Sequence, residues 1–97
     1  MRLAWSVLAL SDRANIFDRI EQDSPKAAVA IDLQIEMAAD RLLQFPHSGR
    51  PGRVMGTREL VITGTSYIAA YRVTTDTVRI LRVLHGAQIW PDDFSKT

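Results

Sequence analysis

The sequence predicts an α+β fold: an N-terminal strand and a two-helix antiparallel hairpin packed on a mainly antiparallel, four-stranded twisted sheet. Three observations predict it. Residues 24–45 carry apolar side chains at three- and four-residue intervals, the period of a helix with one buried face. Residues 56–91 carry three runs rich in β-branched and aromatic residues with short turn-forming pieces between them, the pattern of a β-meander. Residues 46–56 (PHSGRPGRVMG) hold two prolines and three glycines and separate the two regimes as a loop. At 97 residues the chain can bury a core without staples but is too short for two, so one domain over 1–97 is expected.

Composition bounds the function classes. With 46% apolar and 24% charged residues, and no apolar run near the roughly 18 residues a membrane span needs, a cytoplasmic globular protein is expected with no membrane partner. The opening MRLAWSVLAL holds one Arg and an apolar patch, as a leader peptide would. No small-residue cleavage site precedes Ser11, however, so a buried first strand is the expectation. The absence of cysteine excludes disulfides and thiolate metal sites, and His47 and His85 stand alone, so neither metal nor cofactor is expected.

Taken in order, residues 2–7 alternate loosely and predict the first strand, with Trp5 as a core anchor. Ser11 is the candidate cap of a first helix. Asp12 then falls in its first turn, and Ile16, Phe17 and Ile20 form its apolar stripe up to a stop near Asp23. Ser24 caps the second helix with Pro25 at its first position, where the missing N–H costs nothing. Its buried face is read as Ala27, Ile31, Ile35, Ala38, Leu42 and Phe45. Strands follow at 58–63, 67–74 and 77–85, and the tail is expected to run back along the sheet and fray after Asp92.

Charge is unevenly distributed. Residues 1–49 carry five basic and seven acidic side chains, whereas residues 50–97 carry seven basic and four acidic ones. Arginine outnumbers lysine ten to two, which favours bidentate contact with carboxylate or phosphate. Four arginines, Arg58, Arg72, Arg79 and Arg82, lie on the adjoining strands of the meander. Strict alternation puts Arg79, Leu81, Val83 and His85 on one side of the last strand and Val78, Ile80, Arg82 and Leu84 on the other. The second side is the more apolar. Arg79 and His85 are therefore expected in a functional concavity, with Arg82 pairing to a helix carboxylate. Tyr67 and Tyr71, mid-strand, are read as core, and Glu59 as a cross-strand partner of Arg72 or Arg79.

The order of elements, the GRPG loop and the pieces GTREL (56–60), YRV (71–73) and ILRVLH (80–85), followed by Gln88 and Trp90, resemble the RelE/ParE superfamily of type II toxin–antitoxin toxins over nearly the whole chain. The resemblance implies a small cytoplasmic toxin that arrests growth when free and is neutralised by a cognate antitoxin. It implies contact with operator DNA only through that antitoxin. It leaves two targets open: DNA gyrase, for ParE-like members, and messenger RNA on the ribosome, for RelE-, YoeB- and HigB-like members that cleave without metal.

Metal-free RNA cleavage needs a base for the 2′-hydroxyl, an acid for the leaving oxygen and cations for the developing charge. His85 stands where YoeB-like members carry a histidine, and with Arg58 and Arg79 it forms the candidate catalytic set; Glu59 on the neighbouring strand is an alternative base, though its cross-strand pairing is the favoured reading. Arg50, Arg53, Arg72, Gln88 and Trp90 are the candidate target- or antitoxin-binding residues. The lysine pair and the arginine of the RelE pattern are replaced by Glu59, Val61 and Ile68. That departure favours gyrase inhibition, with ribosome-dependent endonuclease activity as the alternative.

Overall fold

The computed structural model describes residues 1–94. Its elements are β1 (Arg2–Trp5), α1 (Val7–Glu21), α2 (Pro25–Arg41), β2 (Arg50–Pro51), β3 (Arg58–Val61), β4 (Tyr67–Val73) and β5 (Thr77–His85). They form one sheet in the order β1-β5-β4-β3-β2. The sheet has five strands where four were expected, because the 46–56 loop contributes the two-residue β2, antiparallel to Arg58 and Glu59. β1 pairs parallel with β5, and all other pairs are antiparallel. Among the described residues no helix is long and apolar enough to cross a membrane.

β1 ends earlier, and α1 begins earlier, than alternation suggests. Ser6, not Ser11, is the cap: its Oγ accepts from Ala9 N at 3.0 Å and donates to Leu81 O at 2.7 Å. One hydroxyl thereby satisfies a helix N–H and a strand carbonyl, and Ser6 is 1% exposed. The stretch Val7–Leu10 is helical as a result. Asp12 then falls in the second turn of α1 rather than the first. Its carboxylate accepts from Val83 N at 2.9 Å and from Arg82 Nε and Nη2 at 2.8 and 3.0 Å. Beyond Trp5 the edge of β5 has no strand neighbour among the described residues, and Ser6 and Asp12 supply partners there. Arg82 is thus the helix-paired arginine the sequence predicts. Asp12 holds its guanidinium above the ordinary range, outweighing the opposing effect of burial.

α2 starts as predicted, with Ser24 accepting from Ala27 N at 3.1 Å and Pro25 at the first position. Its buried face is Ala28, Ile35, Ala38 and Ala39, continued by Leu42 at its C-cap. Phe45, expected on that face, is 61% exposed, because the helix ends at Arg41 and the turn after it breaks the period. Arg13 of α1 joins the helices through Asp32, at 3.1 and 2.9 Å, and Glu36, at 3.3 Å. Burial lowers the Arg13 pKa, but the two carboxylates outweigh it and hold the guanidinium above its ordinary range. The same guanidinium covers Trp5, its carbon 4.6 Å from the ring centroid.

The main core lies between the helices and the sheet, where Ile16, Ile35 and Leu42 meet Ile62, Tyr67, Ala69, Tyr71, Val78, Ile80 and Val83. Tyr71 is fully buried, as read, and its hydroxyl donates to Pro46 O at 2.8 Å and accepts from Gly49 N at 2.9 Å. Position 49 must be glycine, since a Cβ there would lie 2.6 Å from that hydroxyl.

A β-bulge decides the face of everything after Ile80. Tyr71 pairs with Ile80 but Ala70 pairs with Arg82, leaving Leu81 as the extra residue. Val78 and Ile80 face the helices, Leu81 joins Ala70 and Phe94 on the opposite side, and Val83 faces the helices again. Strict alternation had placed Leu81 and Val83 together. The tail returns across the open face, where Phe94 is 7% exposed, so the chain is packed past Asp92. Residues 95–97, including Lys96, lie outside the described residues.

Candidate functional site

On the face away from the helices, Arg72 of β4 and Arg79 of β5 stand directly opposite each other across the strand pair. Both are exposed, and neither takes part in any ion pair among the described residues. Like charges in directly opposed positions destabilise a sheet, so this pair is a local cost that an anionic partner would relieve. The turn carrying Met55 comes alongside: a Cβ on Gly56, whose φ is +80°, would lie 3.9 Å from Arg72 Nε.

Beside this pair, Glu59 organises the loop and the tail. Its carboxylate, 3% exposed, accepts from Arg53 N at 2.7 Å, Arg53 Nε at 3.0 Å, Arg53 Nη2 at 3.2 Å and Arg50 Nη2 at 3.1 Å. Burial pushes this carboxyl up, but the bonds from Arg53 and Arg50 outweigh it, and the net pKa lies below the usual glutamate value. Arg72 and Arg79 were the expected partners of Glu59. The β2 register instead sets Arg50 directly opposite it, and the loop arginines reach the carboxylate. Arg53 then stacks on Trp90, its guanidinium carbon 3.7 Å from the ring centroid, and Trp90 Nε1 donates to His85 O at 3.2 Å. One carboxylate thus fixes the 50–53 loop, which clamps the tail.

His85 follows Val83 to the helix side and meets the Tyr67 ring edge-on at 5.5 Å, with Arg19 Nη2 donating to Tyr67 Oη at 3.3 Å. Its Nδ1 accepts from Ala87 N at 3.0 Å, and its own N–H donates to Gln88 Oε1 at 2.8 Å. Gln88 also lines a cleft of about 370 Å³ with Asp12, Asn15, Arg19 and Arg82. Arg58, paired with the buried Tyr71, donates to Gly49 O at 2.8 Å and His47 O at 3.4 Å.

The predicted residues therefore separate. Arg72 and Arg79 share the open face; Arg50, Arg53 and Trp90 gather around Glu59; Gln88 accompanies His85; Arg58 braces the loop. Arg79 and His85 do not share a concavity, because the bulge at Leu81 turns His85 to the other face. Sequence reading missed two apolar features. Met55 and Ile89, in the loop and the tail, are 94% and 95% exposed, and Val29, Leu33 and Met37 form an outward stripe on α2. The four-residue spacing of that stripe was a visible signal.

The ParE toxin family of parDE-type type II toxin–antitoxin systems matches residues 3–90. Y4kP, named as a candidate toxin of Sinorhizobium fredii, is 44% identical over 90 residues, covering 93% of each chain. Toxin RelE2 of Caulobacter vibrioides is 36% identical over 88 residues, covering 91% of this chain and 98% of its own. Among solved structures, a chain of the chromosomal ParDE system from P. aeruginosa superposes with a TM-score of 0.79 at 27% identity, over 88% of this chain and 95% of the other. The chain belongs to the ParE toxin family and is a ParE-type toxin of a type II toxin–antitoxin system, which implies a cognate antitoxin as its partner.

Proposed function

We propose that this single-domain toxin acts in the cytoplasm by inhibiting DNA gyrase, with Arg72 and Arg79 meeting the target or, in the neutralised state, the antitoxin. The observation that carries this reading is the dispersal of the nuclease candidates. His85 packs on Tyr67 at the helix side, Arg58 is engaged with loop carbonyls, and Glu59 is buried under two arginines. An acid, a base and a cation within reach of one scissile phosphate is what RNA cleavage requires, and these residues face apart. A binding mechanism needs only a surface with unsatisfied charge, which the opposed arginine pair supplies. The antitoxin in turn needs carboxylates for that face, and it would reach operator DNA as part of the complex.

The likeness to RelE2 supports a second reading, ribosome-dependent mRNA cleavage with His85 as acid or base. One experiment separates them. Purified toxin is added to a gyrase supercoiling reaction, and primer extension is run on translated messages after induction. Loss of supercoiling with intact messages is expected. Cuts within reading frames that vanish in His85→Ala would sink the gyrase reading.

A further inference from the structure

The outward face of α2 carries an apolar row symmetric about its centre and opposite charges at its two ends. Centred on Leu33, it places Val29 and Met37 four residues to either side and Lys26 and Asp40 seven residues to either side. At 100° per residue these five positions fall on one narrow stripe. It lies opposite the buried row of Ala28, Ile35, Ala38 and Ala39. Val29, Leu33 and Met37 are 59%, 52% and 45% exposed, a row of large apolar side chains left uncovered among the described residues.

The two end charges are misplaced for an isolated helix. Lys26 sits in the first turn and Asp40 in the last, each opposed by the helix dipole. Both are exposed, and neither forms an ion pair among the described residues. A second α2 laid antiparallel, with its Leu33 on the twofold axis, would bring Lys26 to Asp40 at both ends and Val29 to Met37 between them. That arrangement offsets both dipole mismatches and covers the apolar row. A twofold contact requires this self-complementarity, and a partner of unrelated sequence does not.

We infer that α2 is a self-association surface whose occupant is the α2 of a second copy of this chain, packed antiparallel about Leu33. A stripe on one helix buries less than a standard interface, so association depends on concentration.

Sedimentation equilibrium of the full chain free of antitoxin tests this. A monomer–dimer equilibrium is expected. Leu33→Asp should hold the chain monomeric throughout, with an unchanged circular dichroism spectrum. Lys26→Asp, which sets carboxylates against each other at both ends, should weaken dimerisation by about tenfold or more, as should Asp40→Lys. The double variant Lys26→Asp/Asp40→Lys restores opposite charges and should recover most of the loss. A monomer at every concentration would overturn the inference, including one whose α2 is covered only when antitoxin is added. So would a dimer indifferent to Leu33→Asp, or charge reversals that the double variant does not rescue.

Discussion

On the helix-covered face of the sheet, Ile35, Leu42, Tyr71 and Ile80 are closed to solvent, and at the edge of β5 Arg82 is locked in a bidentate pair with Asp12 of α1. The open face has a small cluster of Ala70, Leu81 and Phe94, and beside it Arg72 and Arg79 face each other with no ion pair to either among the described residues. Arginine thus has two roles within one strand. Arg82, beside the bulge, closes a strand edge against α1, whereas Arg79, three residues earlier, is exposed and in no ion pair among the described residues. The strand edge and the carboxylate beside it decide the role, not the residue type.

Perturbing the two faces should give effects of very different size. Ile35→Ala empties part of the main core and should lower unfolding free energy by about 2–5 kcal/mol in chemical denaturation. That is a large share of the roughly 5–15 kcal/mol typical of a domain. Glu59→Ala removes the acceptor of four hydrogen bonds and should cost about 1–3 kcal/mol, with a red shift of tryptophan emission as Arg53 releases Trp90.

The same clamp carries a pH dependence. The folded Glu59 pKa lies below the unfolded value, so its contribution is complete above about pH 4.3 and is lost as pH falls through the folded value. Acid titration followed by Trp90 fluorescence should show loosening below that point, absent in Glu59→Gln. Arg82→Ala leaves Asp12 still bonded to Val83 N–H and should cost less, about 1–2 kcal/mol. Smallest of all, Arg72→Ala and Arg79→Ala should change stability by no more than about 0.5 kcal/mol, since each removes a like-charge contact from an exposed site. A loss above about 2 kcal/mol in either would show that these arginines hold the fold, and the contrast between the faces would fail.

How much of this was legible depended on how local the signal was. The start of α2 was readable because Ser24-Pro25 sets it within two residues, and β5 matched its predicted 77–85 because its composition is unambiguous. The start of α1 was not, since Val7–Leu10 is an apolar run that periodicity cannot assign, and the cap is chosen by a bond from Ser6 to Leu81, 75 residues away. The bulge is likewise set by strand pairing and by Asp12 at the β5 edge. Every face assignment beyond Leu81, His85 among them, was therefore beyond strict alternation. Arg82 was recognised as structural before the identity of its carboxylate could be known. The partners of Glu59 depended on a two-residue strand that no sequence pattern announces.

Whether the open arginine face acts by binding can be read from a purified gyrase supercoiling assay that compares the wild-type toxin with Arg72→Ala/Arg79→Ala and His85→Ala, with fold confirmed by circular dichroism. Wild type and His85→Ala should inhibit alike, and the folded double-arginine variant should lose inhibition by about tenfold or more. Inhibition that survives loss of both arginines, or a wild-type toxin that leaves supercoiling untouched, would contradict a binding role for that face.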